Sequence, residues 1–476
     1  MKRLILLLCY LAHSSYGQID ENYIPIPADE RLKALTIATI DNKYELDIRN
    51  LPKKNNADYK TLFKYRRDEL INNIQNDKYI FSSEMNTLIQ KVYDKVSINN
   101  PQIPNNGIRV LLSREPNPNA HCLGEGTIVI NIGLLRFLEN ESQLAFVLCH
   151  ELAHYKLNHV NKTINDYVIA INDKKTKQEF KRLVREEYYI NSKVIALLKQ
   201  IAYQGLRYSR QKELQADSLA MVLLKNTVFQ EQEALTCLEI LDKLDKEKYP
   251  NDFDFKKILD TKDYPFKKSW LQEEVSDLGP FKNKQKVVID DSLKTHPDCI
   301  QRINQIKKNF IIRPKNNKSI ISKNEFMKFA LIADFEVVRS EYLQTNYGKS
   351  FYHIIGLLHQ YPDNVYLNTM LIRCLYKIYD AQSDHKLIKY VDLKGSYEDN
   401  NYKQSLLFIN NIKQVEMAKL CYNYLKDRKE RFQGKEDFIY ANFLSSKMSG
   451  NETDKQNWKR IYLEKFPTGK FVKYLI

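Results

Sequence analysis

Apolar residues recur at helical spacing through most of this chain and alternate at strand spacing only briefly. Leu62, Tyr65, Leu70 and Ile71, then Met85, Leu88, Ile89 and Val92, predict two amphipathic helices between residues 58 and 96. An Asn-, Pro- and Gly-rich run, 99–107, ends that pattern. Residues 108–113 (IRVLLS) and 126–132 (GTIVINI) are rich in β-branched residues and predict strands. Ser142 to His159 predicts a helix capped by Ser142. A charged helical stretch, 163–207, follows, with Lys174, Lys175 and Lys177 on an exposed arm, and then helices at 209–226 and 231–246. Residues 18–55 are mixed and carry turn formers such as Pro25 and Pro27. Pro250, Pro265 and Pro280 among many lysines make 247–292 a long irregular insertion. Beyond about residue 315 the pattern is helical throughout. The expected fold is mainly α with a small β-sheet, in two domains: 18–315, with a core near 105–305, and 316–476.

Two C-terminal segments, 348–369 and 461–475, share an apolar helix, then Tyr-Pro or Phe-Pro, then polar residues. This resembles degenerate tetratricopeptide hairpins without the regular period. The second domain is therefore expected to be an all-α, helical-hairpin (TPR-like) array.

His150-Glu151-Leu152-Ala153-His154 is an H-E-x-x-H motif inside the helix predicted from Ser142. Four residues at 3.6 per turn leave the two imidazoles roughly 40° apart around the axis, one turn from each other, so both can reach one ion. Glu151, beside the first ligand, can lean toward a metal-bound water without ligating. A catalytic zinc takes three protein ligands and keeps one position open. With only nine histidines in the chain, a chance match is a poor explanation.

A third ligand is needed. Leu157 and Val160 stand where a metzincin has its glycine and third histidine. His159, five residues after His154, points off the ligand face and reads as a support or surface residue. Glu179, Glu186 and Glu187 lie in no recognisable helical frame. Glu213, in Glu213-Leu214-Gln215-Ala216-Asp217, is the better candidate. Asp217 lies four residues further on the same helix face, where a carboxylate can orient a ligating histidine. The competing reading of Asp217 is a surface salt bridge with Arg210.

In order and context, these features resemble the zinc peptidase family that contains HtpX and the CAAX prenyl proteases, the forty-eighth metallopeptidase family. The resemblance covers roughly residues 105–305. It rests on Asn119-Ala120 before Gly124-x-Gly126, on Ile128-Val129-Ile130-Asn131-Ile132-Gly133-Leu134-Leu135, on HELAH with His159 after it, on Ser209 to Asp217 (SRQKELQAD), and on Thr295-His296-Pro297 with Arg302. It implies a zincin-type (gluzincin) metallopeptidase domain holding one Zn2+ through His150, His154 and Glu213, with Glu151 as the general base. It implies that the strand at 126–130 borders the cleft, that an extended substrate adds to its edge at Gly126 and Ile128, and that Asn119 holds the substrate backbone. His296 and Arg302 would contact the substrate carbonyl or the developing oxyanion. The insertion would form a lid, and His296 could cap the metal's open position.

Hydrophobic residues make up 43% of the chain and charged residues 28%, a globular composition. Lys2 and Arg3, the apolar run Leu4 to Ala12, and Ser15-Tyr16-Gly17 read as an export signal cleaved after Gly17. The expected location is therefore the periplasm or the outside medium. The Cys122, Cys149, Cys237, Cys299, Cys374 and Cys421 spacings match no disulfide framework and read as scattered thiols. The formal charge of +15 is spread among Asp and Glu, and no nucleic-acid motif accompanies it. At most it suggests peripheral attraction to acidic head groups. With no membrane-length segment, the chain looks closest to the soluble periplasmic, BepA-like members of the family. That implies unfolded or misassembled envelope proteins as substrates, with outer-membrane assembly machinery as a partner. The alternative is an assembly factor or chaperone-like client-binding module with little or regulated proteolysis.

Overall fold

Residues 79–131 build a four-stranded sheet in the computed structural model, which describes residues 23, 26, 29–81, 83–103, 107–174, 178, 209–243, 249, 251–273, 299–315, 319–393 and 399–475. Helices α1 (Glu30–Arg49) and α2 (Asn56–Gln75) lead into β1 (Tyr79–Ile80), and α3 (Ser83–Ile98) into β2 (Arg109–Ser113). Two more strands follow, β3 (Ala120–Cys122) and β4 (Thr127–Asn131). The strand order is β1-β2-β4-β3. β2 and β4 run parallel, with Leu111 opposite Val129, and the outer pairings are antiparallel. Every residue of β4 is buried, as expected of a strand enclosed on both sides. Leu111 and Val129 join Ile40, Leu70, Ile74, Tyr79 and Phe81 in one apolar cluster. Helix α1 was not anticipated from the mixed composition of 18–55. It starts where the Asp29 carboxylate accepts from the Leu32 N–H at 2.9 Å.

After a single helical turn, Ile132–Leu135, comes α4 (Glu141–Lys156), which carries the H-E-x-x-H. Its cap is Asn140 rather than Ser142. The Asn140 Oδ1 accepts from the backbone N–H of Ser142 and Gln143 at 3.0 and 3.1 Å. Every residue of α4 from Glu141 to Ala153 is buried. Leu144, Phe146, Leu148 and Leu152 are fully or almost fully buried, and each such side chain contributes about 1.5–3 kcal/mol. α4 packs on β3 and β4, on α6 (Ser209–Lys225) and on α7 (Glu233–Lys243). α5 (His159–Asn172) precedes these, and α8 (Cys299–Asn309) packs against both α6 and α7.

The longer helices that follow are α9 (Lys323–Leu343), α10 (Tyr347–Gln360), α11 (Val365–Ser383), α12 (Asn400–Asn411), α13 (Gln414–Asp427), α14 (Glu436–Met448) and α15 (Glu452–Lys465). α10, Tyr361-Pro362 and α11 form the hairpin expected at 348–369, and α11 also packs on α13 and α14.

The described residues divide into two units. One takes Ile26–Asp245 and Ile289–Ala333; the other takes Lys246–Val288 and Asp334–Ile476, together with Tyr23. Described residues 249–273, expected as an insertion of the first domain, thus group with the C-terminal helices. Their aromatic side chains are the cause. Phe255 stacks against both Phe351 and Phe408, which also stack on each other, and Trp270, 1% exposed, stands edge-on to Phe408. Cys122, Cys149, Cys237, Cys299, Cys374 and Cys421 are buried free thiols. No described helix is long and apolar enough to cross a membrane.

Candidate metal centre

Three helices supply the centre. α4 brings His150, Glu151 and His154, α6 brings Glu213 and Asp217, and α8 brings Arg302. α4 and α6 pack against each other, and the small side chains of Ala153 on α4 and of Ala216 and Ala220 on α6 are fully buried. The periodicity of α6 then aims Glu213 and Asp217 at α4 from successive turns.

The ligand atoms converge. His150 Nε2 lies 3.0 Å from His154 Nε2 and 3.3 Å from Glu213 Oε2, and His154 Nε2 lies 3.3 Å from Glu213 Oε1. Donors bound tetrahedrally to zinc at about 2.1 Å stand about 3.4 Å apart. The observed spacings are close to that value, and two ring nitrogens plus a carboxylate suit zinc chemically. The expected ligand trio is thus brought together, and no other His, Cys, Asp and Glu cluster of this kind occurs among the described residues.

Behind the ligands, the His150 Nδ1–H donates to Asp217 Oδ1 at 3.0 Å. Arg302 donates through Nε and Nη2 to both Asp217 oxygens at 2.7 Å, and its Nη1 stands 3.5 Å from Glu213 Oε2. Burial penalises charge on His150, but the Asp217 and Glu213 carboxylates outweigh it and raise its pKa to about 10. Burial likewise works against ionised Asp217, yet the Arg302 guanidinium and His150 pull its pKa down to about 2. Surroundings that favour positive charge this strongly favour a divalent ion in place of protons. Asp217 is 1% exposed, so it supports the centre from inside rather than forming a surface salt bridge with Arg210.

Arg302 corrects an expectation. The resemblance implies contact with the substrate carbonyl or the developing oxyanion, but Arg302 is 3% exposed and its donors are directed at Asp217 and Glu213. A guanidinium held that way positions ligands instead of meeting substrate.

The substrate strand needs a second correction. β4 pairs with β2 on one side and β3 on the other, so Ile128 offers no edge for an incoming chain. The end of the sheet beside α4 is β3. Gly126 closes the β3–β4 turn at φ +104°, a conformation that favours glycine, and its N–H donates to Leu123 O at 2.9 Å. Asn119 leads into β3. Its carbonyl accepts from the Asn131 N–H at 3.0 Å, and its Oδ1 is buried without a hydrogen-bond partner among the described residues. Glu151 is buried and acts on Cys122 of β3, whose thiol is pushed up by burial and then by the Glu151 and Glu125 charges. His296, the signal at 1–17, and Glu179, Glu186 and Glu187 lie outside the described residues.

His159, expected as a support or surface residue, supports the site. Asn158, at φ +57°, ends α4 and redirects the chain, so His159 does not continue the helix and returns to the site. It is 4% exposed, with Nδ1 3.1 Å from His154 Nδ1 and Nε2 3.2 Å from Gln215 Oε1. Gln215 was missed. It lies between the recognised Glu213 and Asp217, and only the position of His159 gives it a partner.

Among known proteins, the mitochondrial metalloendopeptidase OMA1 of Arabidopsis thaliana is 30% identical over 136 residues, 28% of this chain and 26% of that protein. The matched stretch therefore spans about a quarter of that relative's length. With the match of residues 83–309 to the profile of peptidase family M48, this establishes that the chain carries a domain of that family.

Proposed function

We propose that the protein is a zinc-dependent endopeptidase acting on unfolded or misassembled exported proteins. The observation that carries this reading is the convergence of His150, His154 and Glu213 at 3.0–3.3 Å beside the buried Glu151. One zinc ion per chain would be held by that trio, and when bound it would supply acidification of a water and polarisation of the scissile carbonyl. Glu151 takes the proton of the attacking water and delivers it to the leaving amine. Asp217 holds His150 in its Nδ1–H tautomer, and Arg302 holds Asp217. An extended substrate lies along β3 with its scissile bond at Glu151, bound through its backbone and therefore with little demand on sequence. His296 contributes a further contact to the substrate carbonyl or caps the open metal position.

The export signal supports a periplasmic or secreted location, and the helical unit supports client recognition with outer-membrane assembly machinery as a partner. A binding module with little proteolysis is the second reading, favoured by the size of that unit. Retention of Glu151 with all three ligands favours the enzyme.

Zinc content and casein cleavage are compared between the wild type and Glu151→Gln. About one zinc per chain in both, with cleavage only in the wild type, is the expected result. Zinc in both with cleavage in neither would favour the binding module. No zinc in the wild type after supplementation would overturn the proposal.

A further inference from the structure

We propose that His159 is a positioning residue for the metal centre: it fixes the tautomer of His154 and is itself fixed by Gln215. This rests on the metal-site reading above. A neutral imidazole has one donor nitrogen and one acceptor nitrogen. Gln215 Oε1, a pure acceptor, lies 3.2 Å from His159 Nε2, so that nitrogen carries the hydrogen. His159 Nδ1 is then bare, and the His154 Nδ1–H donates to it across 3.1 Å. His154 is thereby left with an unprotonated Nε2, the atom that faces Glu213 and His150.

Reversing the chain of donors gives the opposite result. With the Gln215 amide nitrogen facing His159, the hydrogen would move to His159 Nδ1 and His154 Nδ1 would accept it. His154 Nε2 would then be protonated and unable to bind an ion. The orientation of one glutamine amide therefore decides whether the second ligand is competent.

The two ligating histidines are supported differently by one stretch of α6. His150 has a buried carboxylate, Asp217, on its outer nitrogen, whereas His154 has a neutral imidazole backed by Gln215. His159 is also held through its backbone: its carbonyl accepts from Thr163 Oγ1 at 2.9 Å, and Lys212 Nζ donates to that hydroxyl at 2.8 Å. The ring is thus presented to His154 from a fixed helix start.

The test reads zinc affinity of the full chain by chelator competition, together with imidazole 15N shifts of the zinc-loaded protein. His159→Leu should bind zinc about 10–100-fold more weakly than the wild type. His159→Asn, whose Oδ1 can stand near the lost Nδ1 and accept from His154, should retain affinity close to the wild type. The spectra should show His159 as the Nε2–H tautomer and His154 as the Nδ1–H tautomer. Undiminished affinity in His159→Leu, or His159 in the Nδ1–H form, would overturn the inference while leaving the metal site intact. A wild type that binds no zinc would instead overturn the site reading. Should His159→Leu not fold, the wild-type tautomers and the His159→Asn affinity decide the matter.

Discussion

Arg302 grips both carboxylate oxygens of Asp217 at 2.7 Å, and one of those oxygens accepts from the outer nitrogen of His150. The pair is almost fully buried, so each charge depends on the other. Asp217→Asn keeps an acceptor for His150 but loses the charge, and zinc affinity should fall about 10–100-fold. Arg302→Leu strands a buried carboxylate and should cost about 3–5 kcal/mol in chemical denaturation. The double variant should lose less than the sum of the two singles, because each removes the other's reason to be charged. Strict additivity would show that the two residues do not act as a pair.

Gly133 follows β4 at the turn that leads to α4. A Cβ there would stand 1.9 Å from the Pro116 carbonyl oxygen, which belongs to backbone and cannot swing aside. The Gly133 N–H also donates to Glu115 O at 3.2 Å, tying the two segments together. Gly133→Ala should therefore destabilise the unit by at least about 1–3 kcal/mol, the cost of overpacking a tight interior. A melting curve unchanged from the wild type would mean that the 115–117 segment moves freely.

The legible part of this protein is the part written locally. HELAH and ELQAD each lie within one or two helical turns, so spacing alone places their side chains on a shared face, and the helices that carry them followed from apolar periodicity. What escaped depends on pairing or on competition between neighbours. The interior position of β4 is a matter of strand order, and its Ile-Val-Ile centre is compatible with an edge or a centre until β3 is seen to pair with it. Asn140 and Ser142 are both good caps two residues apart, and the helix starts at the first. Residues 249–273 read as irregular because their prolines and lysines dominate the pattern. Phe255 and Trp270, the side chains that anchor them, find their partners 96 to 153 residues away, beyond the reach of a window scan. His159 shows the same limit at short range, since one left-handed residue turns an off-axis histidine into a partner of His154.

Glu416 ties that segment down and makes it acid-sensitive. It accepts from Lys267 Nζ at 2.6 Å and from Trp270 Nε1 at 3.2 Å. Burial alone would raise its pKa, but those hydrogen bonds outweigh burial and hold it below the ordinary 4.5. Because the folded value is depressed, the stabilisation is fully present above pH 4.5 and is lost as pH falls through the lowered value. Trp270 fluorescence should therefore shift to the red on acidification below that point, and Glu416→Gln should remove the acid step. An acid step of equal size in Glu416→Gln would assign the transition to other carboxylates.

Glu141 closes the other end of the metal-site helix. Its Oε1 accepts from Ser319 Oγ at 2.8 Å and from the Ile320 N–H at 2.9 Å, and its Oε2 accepts from the Ile321 N–H at 2.6 Å. The carboxylate is 6% exposed, so water cannot readily take its place. Removing it in Glu141→Ala leaves two backbone donors short of partners, at about 1–3 kcal/mol for each that stays buried. Glu141→Gln retains one acceptor oxygen and should cost roughly half as much. Neither variant touches a ligand, so zinc affinity should stay at the wild-type value while the Ile320 and Ile321 amides lose hydrogen-exchange protection. Loss of zinc affinity in step with that protection would show that the 319–321 anchor also sets the position of His150 and His154. Unchanged protection would show that other contacts hold the anchor in place.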